Sequence, residues 1–316
     1  MDATPPTGPG QPTDQGSSGP SPRPAPDDPR WFPPDTFAGQ VAVVTGGGTG
    51  LGLEISRGLA RQGARVVIAS RSSENHAELL AEAEREGWDV RARTVDLREA
   101  PAVRDLADGL IEELGRVDIL VNNAAGNFVC PAERLSTNAW RAVLGIVLDG
   151  TFYASKSFGR HMICQGKGSI LNVVATYAWT GMPGVVHSAS AKAGVLAMTR
   201  TLAAEWAPHG IRVNAIAPGP FQSDGAKKNL WPSDEIETRI RQQIPLQRFA
   251  QRDEVAAQCL HLLAPISEYI TGECMVIDGG LTLASGRMWQ PEDFARKKRG
   301  ARPDPAGQAD GGPSDA

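Results

Sequence analysis

The sequence predicts an α/β fold with one doubly wound parallel sheet of about seven strands flanked by helices. Between residues 37 and 295, short apolar, β-branched runs alternate with longer helical patterns, which is typical of stacked βαβ units. A glycine-rich segment follows the first of these runs and leads directly into a helical pattern. No second compositional regime interrupts this stretch, so we expect a single domain.

The predicted elements follow this alternation in chain order. The strands are predicted at Val41–Val44, Val66–Ile68, Arg93–Val95, Ile119–Val121, Ile170–Val174, Val213–Ala217 and Met275–Ile277. The helices are predicted at Leu53–Arg61, Ser73–Glu86, Pro101–Leu114, Asn138–Cys164, Ser188–Trp206 and Arg252–Leu263. Right-handed crossovers bring the carboxyl ends of parallel strands to one edge of the sheet, where such sheets bind ligands. Functional residues are therefore expected directly after each strand.

Both ends of the chain are predicted to be disordered tails, residues 1–36 and 296–316. Eleven of the 24 prolines lie within the first 34 residues, and this stretch has almost nothing apolar to bury. Such a segment cannot offset its ordering entropy. The last residues have a similar composition.

Charge and cysteine usage exclude several classes of function. The net charge of -4 disfavours a general nucleic-acid binder. The four cysteines and five histidines lack metal-ligand spacing, so no metal site is expected and reduced thiols are favoured. No apolar segment is long enough for a membrane span or fits a signal peptide, so we expect no membrane partner and a cytoplasmic location.

The first strand is followed by the glycine-rich run Thr45–Gly52, TGGGTGLG. Glycines there allow backbone N–H groups to approach a pyrophosphate at the positive end of a helix dipole. An ordinary turn is the alternative, but the strand before and the helix after favour a Rossmann-type dinucleotide site. The predicted cofactor contacts in this run are Thr45, Gly46, Gly48, Thr49, Gly50, Leu51 and Gly52.

The second strand ends in Ser70-Arg71, where an NAD-specific site would place an acidic residue. A carboxylate there would repel a 2′-phosphate, whereas Arg71 can pair with it. This predicts NADPH/NADP as the cofactor. The alternative is a solvated surface arginine.

The loop spacing TGxxxGxG is similar to that of the classical short-chain dehydrogenase/reductases. The run Asn122–Gly126, NNAAG, looks like the segment that lines their cofactor pocket, and the turn Pro218-Gly219-Pro220 looks like their turn beside the nicotinamide. The resemblance implies further cofactor contacts from Asp96, Leu97, Asn123, Ala124, Ala125, Lys192, Pro218, Gly219, Pro220 and Phe221.

The chain departs from the catalytic pattern of that family, Tyr-x-x-x-Lys with an upstream Ser and Asn. Lys192 is present, but Ser188, Ala175 and Asp149 stand at the other three positions. A serine hydroxyl is a far weaker acid than a phenol of pKa about 10, so it cannot replace Tyr as the proton donor. Either catalysis is lost or the acid lies elsewhere in the sequence.

A relocated acid is available in Tyr177, just beyond the fifth strand and eleven residues before Ser188. The alternative is a half-buried loop tyrosine. Together with NNAAGNF, PAERLS, NAW and SASAKAG, this tyrosine resembles the NADPH-dependent 2,4-dienoyl-CoA reductases over most of residues 37–285. The resemblance implies that Asn127 and Tyr177 bind a thioester carbonyl and that Lys192 and Ser188 support them.

The same resemblance implies acyl-CoA contacts from Arg98, Phe128 and Ser136, with Arg98 nearest a CoA phosphate. The alternatives are a cap near the next helix for Arg98, core packing for Phe128 and an N-cap for Ser136, which is favoured. A homotetramer is also implied by the family.

The sequence thus predicts NADPH-dependent reduction of 2,4-dienoyl-CoA to 3-enoyl-CoA. The alternatives are a short-chain reductase acting on another carbonyl or conjugated substrate, and a catalytically silent NADP-binding scaffold. The dienoyl-CoA reductase predicts thioester turnover that is lost in Tyr177→Phe. The other reductase predicts turnover only of substrates without CoA, and the scaffold predicts cofactor binding without turnover.

Overall fold

The computed structural model describes residues 32–33, 35–222, 230 and 233–284, and these residues contain a seven-stranded sheet. The strands are β1 Val41–Thr45, β2 Arg65–Ser70, β3 Val90–Thr94, β4 Ile119–Asn122, β5 Gly168–Val173, β6 Ile211–Pro218 and β7 Cys274–Ile277. Each neighbouring pair is parallel in the order β3-β2-β1-β4-β5-β6-β7. This confirms the predicted doubly wound sheet. The order reverses between β1 and β4, where such sheets open a ligand crevice.

Helices cover both faces of the sheet. They are α1 Gly50–Arg61, α2 Ala77–Glu86, α3 Ala100–Leu114, α4 Thr137–Leu144, α5 Gly150–Gln165, α6 Tyr177–Thr180, α7 Val186–Trp206, α8 Asp234–Gln243 and α9 Arg252–Leu263. Val44 packs with α1, α2 and α9 on one face, and its neighbour Val43 packs with α3, α5 and α7 on the other. Because both faces are buried, the central strands consist mainly of apolar residues, which is why their sequence signal is clear.

Strand β3 and helix α8 are among the elements that differ from the sequence prediction. Strand β3 begins three residues before the predicted Arg93–Val95, because Arg91 and Arg93 interrupt its apolar run at the edge of the sheet. Both arginines pair with Glu113 of α3. Helix α8 was not predicted because its sequence is strongly polar, although Ser233 caps it by accepting the Ile236 N–H.

The predicted helix Asn138–Cys164 is interrupted by a π-helical turn at Gly145–Asp149. The turn packs against α7, where Leu148 lies beside Gly194. The Thr151 hydroxyl donates to the Val147 carbonyl at 2.7 Å. Asp149, at the family's asparagine position, is exposed to solvent. Its carboxylate therefore does not join the buried groups of α7.

The predicted tails lie outside the described residues, apart from the short stretch before residue 37. In that stretch Phe32 is buried against the cluster that includes α1 and α9. Among the described helices, none is long and apolar enough to span a membrane.

Candidate active site

The glycine-rich loop after β1 forms a cradle that side chains would fill. Gly46 and Gly50 have positive φ angles of 63° and 55°, which favour glycine. A Cβ atom on Gly52 would lie 2.2 Å from the Gly46 carbonyl oxygen. Thr49 is the N-cap of α1, and its side chain makes no capping hydrogen bond. The first N–H groups of α1 therefore remain available to a phosphate, which fits a dinucleotide.

The loop is tied to the end of β4 through Thr45 and Asn123. Thr45 Oγ1 accepts the N–H groups of Asn123 and Ala124 at 3.0 and 3.1 Å. In return, Asn123 Nδ2 donates to the carbonyl oxygens of Thr45 and Gly46 at 3.0 and 3.2 Å. Two predicted cofactor residues thus hold the two strand ends that flank the crevice. Ala124 and Ala125 are partly or fully exposed beside them.

The predicted turn after β6 packs closely on the end of β7. The Gly219 N–H donates to the Ile277 carbonyl at 2.8 Å, and a Cβ atom on Gly219 would lie 2.7 Å from Asp278 Cα. Phe221 forms an isolated parallel bridge with Ala250. Pro218 is the last residue of β6, and Pro220 accepts the Ala250 N–H. The glycine allows this close approach at the carboxyl edge.

At the other end of the crevice, Arg71 and Asp96 follow β2 and β3. The Arg71 guanidinium is exposed and forms no hydrogen bond or ion pair with any other described residue. Arg98 Nε donates to Asp96 at 2.9 Å, and this hydrogen bond is the main cause that lowers the pKa of Asp96 to about 2. Asp96 and Arg98, predicted as separate contacts of the cofactor and the acyl-CoA, form a pair in the structure. Leu97, between them, is buried.

Three of the predicted catalytic residues meet at the centre of this edge. Asn127 follows β4, Tyr177 begins α6 after β5, and Ser188 lies in the first turn of α7. Asn127 Nδ2 donates to Tyr177 Oη at 3.3 Å, and Tyr177 Oη lies 3.0 Å from Ser188 Oγ. The Phe128 N–H donates to Asn127 Oδ1 at 2.9 Å. That hydrogen bond orients the Asn127 amide so that its NH₂ group faces the tyrosine.

Comparison with known proteins agrees with this architecture. A family model described as enoyl-(acyl carrier protein) reductase matches residues 46–282. A crystal structure of a short chain dehydrogenase from Bacillus anthracis superposes with a TM-score of 0.71 at 43% identity, covering 79% of this chain and 98% of that one. The chain belongs to the short-chain dehydrogenase/reductase family.

Two relatives narrow the position of the chain within the family. It is 43% identical to a probable 2,4-dienoyl-CoA reductase, (2E)-enoyl-CoA-producing, from Bacillus subtilis, covering 76% of this chain and 96% of the relative. It is 41% identical to a peroxisomal 2,4-dienoyl-CoA reductase, (3E)-enoyl-CoA-producing, from Pongo abelii, covering 80% and 87%. The predicted resemblance is thereby confirmed.

Burial sets the protonation of two groups in this short-chain reductase site. Burial raises the pKa of Tyr177 above its ordinary value of 10, although hydrogen bonds from Ser188 and Asn127 oppose the shift. Lys192 is buried, donates to the Val173 carbonyl and has its pKa lowered to about 8 by burial. Desolvation dominates the shift in the pKa of Tyr177, so its neutral, hydrogen-bond-donating form is favoured. The phenol keeps its proton at neutral pH.

The remaining predicted residues, Phe128 and Ser136, lie between β4 and α4. Phe128 is half-buried and stacks on His187, with ring centroids 4.4 Å apart. Ser136 Oγ accepts the Ala139 N–H at 3.2 Å and caps α4, as the favoured alternative expected. His187 is fully buried beneath Phe128. No sequence motif marks His187, because adjacent residues on a helix point apart and His187 therefore does not pair with Ser188.

Two buried histidines predict acid sensitivity of the folded state. Burial lowers the pKa of both His76 and His187 below the ordinary 6.5. The unfolded chain therefore binds protons first as the pH falls through 6.5, and stability is lost below that value. Each histidine contributes at most about 1.4 kcal/mol per pH unit.

Urea unfolding at several pH values between about 7.5 and 5.5 tests this expectation. The midpoint should fall with pH, and a His187→Phe variant should show a shallower fall. His209, for which no such burial exists, gives the matched control His209→Gln, whose profile should follow the wild type. Carboxylates such as Asp96 lose their contribution only below this window. A midpoint independent of pH would contradict the prediction.

Proposed function

We propose that the protein reduces 2,4-dienoyl-CoA to 3-enoyl-CoA with NADPH. The observation that carries this proposal is the Asn127–Tyr177–Ser188 trio, which stands at the carboxyl edge of the sheet in place of the usual Tyr-x-x-x-Lys pair. The two relatives named as 2,4-dienoyl-CoA reductases support the same substrate class.

The residues of the crevice fit NADPH, which when bound supplies a hydride. The backbone of the Thr45–Gly52 loop would hold the pyrophosphate, since its close-packed glycines leave the N–H groups of α1 accessible. Arg71 would hold the 2′-phosphate with its unpaired guanidinium. Lys192 would bind the nicotinamide ribose from its buried position on α7.

The trio provides hydrogen-bond donors where negative charge develops. Hydride addition at the far end of a conjugated dienoyl thioester moves charge through the chain onto the thioester oxygen, so donors aimed at that oxygen stabilise the dienolate. Asn127 donates to Tyr177 Oη, and when Ser188 Oγ also donates to it, the phenol directs its own proton outward to the substrate. Asn127 Nδ2 has a second hydrogen for the same oxygen. The raised pKa of Tyr177 favours this neutral donor form.

Protonation of the dienolate sets the product. A proton at the α-carbon gives the 3-enoyl thioester, and a proton at the γ-carbon gives the 2-enoyl thioester. The two relatives differ in this respect, since one is named as (2E)-enoyl-CoA-producing and the other as (3E)-enoyl-CoA-producing. We assign the 3-enoyl product, with the proton delivered through water. The cytoplasmic location and the homotetramer implied by the family remain predictions, and a monomer in a sizing experiment would contradict the latter.

The assay that tests the proposal follows NADPH absorbance with a medium-chain 2,4-dienoyl-CoA. We expect NADPH oxidation matched by 3-enoyl-CoA formation, slower oxidation of NADH, and no reaction with a saturated acyl-CoA of equal length. Absence of turnover despite NADPH binding in a fluorescence titration would overturn the substrate assignment. It would favour a catalytically silent NADP-binding protein. A 2-enoyl product would retain the reductase and move the protonation to the γ-carbon.

A further inference from the structure

His76 lies in a short turn between the end of β2 and α2, and no step of the proposed reaction uses it. The sequence predicts one helix over Ser73–Glu86, but the structure forms a 3₁₀ turn at Ser73–His76 before α2 begins. The turn directs the imidazole inward, so that His76 is only 4% exposed. A buried polar ring at this position requires a hydrogen-bond partner.

That partner is Ser70, the last residue of β2. His76 Nε2 lies 2.7 Å from Ser70 Oγ, and Ser70 Oγ donates to the Ser72 carbonyl at 3.1 Å. A hydroxyl has one proton, so a serine that donates to Ser72 must accept from Nε2–H. The two consecutive hydrogen bonds from His76 to Ser70 and from Ser70 to Ser72 therefore fix the backbone on both sides of Arg71.

The same turn lies directly against the phosphate loop. A Cβ atom on Gly48 would be 1.7 Å from the Asn75 carbonyl oxygen and 3.5 Å from His76 Cα. The turn thus sets the spacing between the pyrophosphate cradle and Arg71. The nearby carboxylate of Asp96 is hydrogen-bonded by Arg98, and Arg71 acts on it only through its charge, so the hydrogen-bond donors of Arg71 remain for a ligand.

We propose that His76 is a positioning residue for the 2′-phosphate of NADPH, holding the Ser70–Ser72 backbone through Ser70 Oγ so that Arg71 faces the adenosine ribose. The inference rests on the cofactor part of the proposed function and not on the acyl substrate. A positioning role predicts a specific signature, because NADH lacks the phosphate that Arg71 recognises. Loss of the His76 hydrogen bond should weaken NADPH binding and leave NADH binding almost unchanged.

The test measures dissociation constants of NADPH and NADH for the full chain by nucleotide fluorescence, without an acyl-CoA. His76→Phe keeps a planar ring and removes the donor, and we expect a loss of about three- to tenfold for NADPH with less than about twofold for NADH. His76→Gln places an amide donor at a similar reach and should restore most of the affinity. Ser70→Ala removes the hydroxyl that accepts from His76 with little change in side-chain size. It should reproduce the selective loss of NADPH affinity.

Arg71→Ala completes a double-mutant cycle. It should weaken NADPH strongly, and adding His76→Phe to it should cause no further loss. Equal losses for both nucleotides, or a His76→Phe effect that persists in the Arg71→Ala background, would overturn the proposal. If His76→Phe does not fold, His76→Gln and Ser70→Ala decide the question alone. Failure of the dienoyl-CoA assay would leave these binding results intact, whereas equal wild-type affinity for NADH and NADPH would overturn both the cofactor assignment and this inference.

Discussion

Replacing Tyr177 with Phe is expected to lower turnover of a 2,4-dienoyl-CoA by about 10²–10³-fold and to leave NADPH affinity unchanged. The substitution removes only the phenolic oxygen, which is the point where Asn127 and Ser188 converge at 3.3 and 3.0 Å. The ring remains to fill its half-buried position at the start of α6. The expected loss reflects one missing donor to the dienolate oxygen, while Asn127 still supplies another.

Steady-state kinetics and a separate NADPH titration distinguish the possible outcomes. Tyr153 offers a matched control, because it is a partly buried tyrosine on α5 that packs against the core beneath α3 and α5 and forms no hydrogen bond with the described residues of the trio. Tyr153→Phe should retain wild-type turnover. A loss below about fivefold in Tyr177→Phe would contradict the role of the phenol, since removal of an oxyanion donor costs far more. Weakened NADPH binding would instead assign Tyr177 to the cofactor pocket.

The convergence of the trio was predictable because of the sheet and not because of local spacing. Asn127 and Tyr177 are 50 residues apart, yet each directly follows a strand, and parallel strands share one carboxyl edge. The protonation state of the phenol was not predictable in the same way. It depends on how deeply the ring is buried, which the sequence pattern does not give.

The same holds for the fold: elements that are buried have an apolar sequence pattern and are predictable, whereas exposed elements lack such a pattern. Helix α9 has the predicted bounds, and the central strands are apolar on both faces. Edge strand β3 and the polar helix α8 carry little apolar signal, so only the cap at Ser233 marks the latter. The hydrogen bond between His76 and Ser70 depends on a 3₁₀ turn that the helical pattern of this segment conceals.

Lys192 is expected to be essential for turnover and unfavourable for the stability of the cofactor-free protein. Burial lowers its pKa from 10.5 to about 8, so at neutral pH the folded state holds a charged group that the unfolded chain accommodates better. The difference corresponds to an upper bound of about 3 kcal/mol. Lys192→Met removes this cost but also the hydrogen bond to the Val173 carbonyl, so it should raise the free energy of unfolding by about 1–2 kcal/mol and abolish most turnover.

The pH dependence of this gain separates desolvation from other effects of the substitution. A lowered pKa gives a cost that is complete below about pH 8 and disappears as the pH rises toward 10.5. The difference in urea midpoint between Lys192→Met and wild type should accordingly be largest at neutral pH and shrink at alkaline pH. Exposed Lys167 provides the control Lys167→Met, which should show no such gain. A Lys192→Met protein less stable than wild type at neutral pH would contradict the argument. A stability gain together with lost turnover would show that this ammonium group is retained for the bound cofactor, whose ribose oxygens would replace its lost hydration.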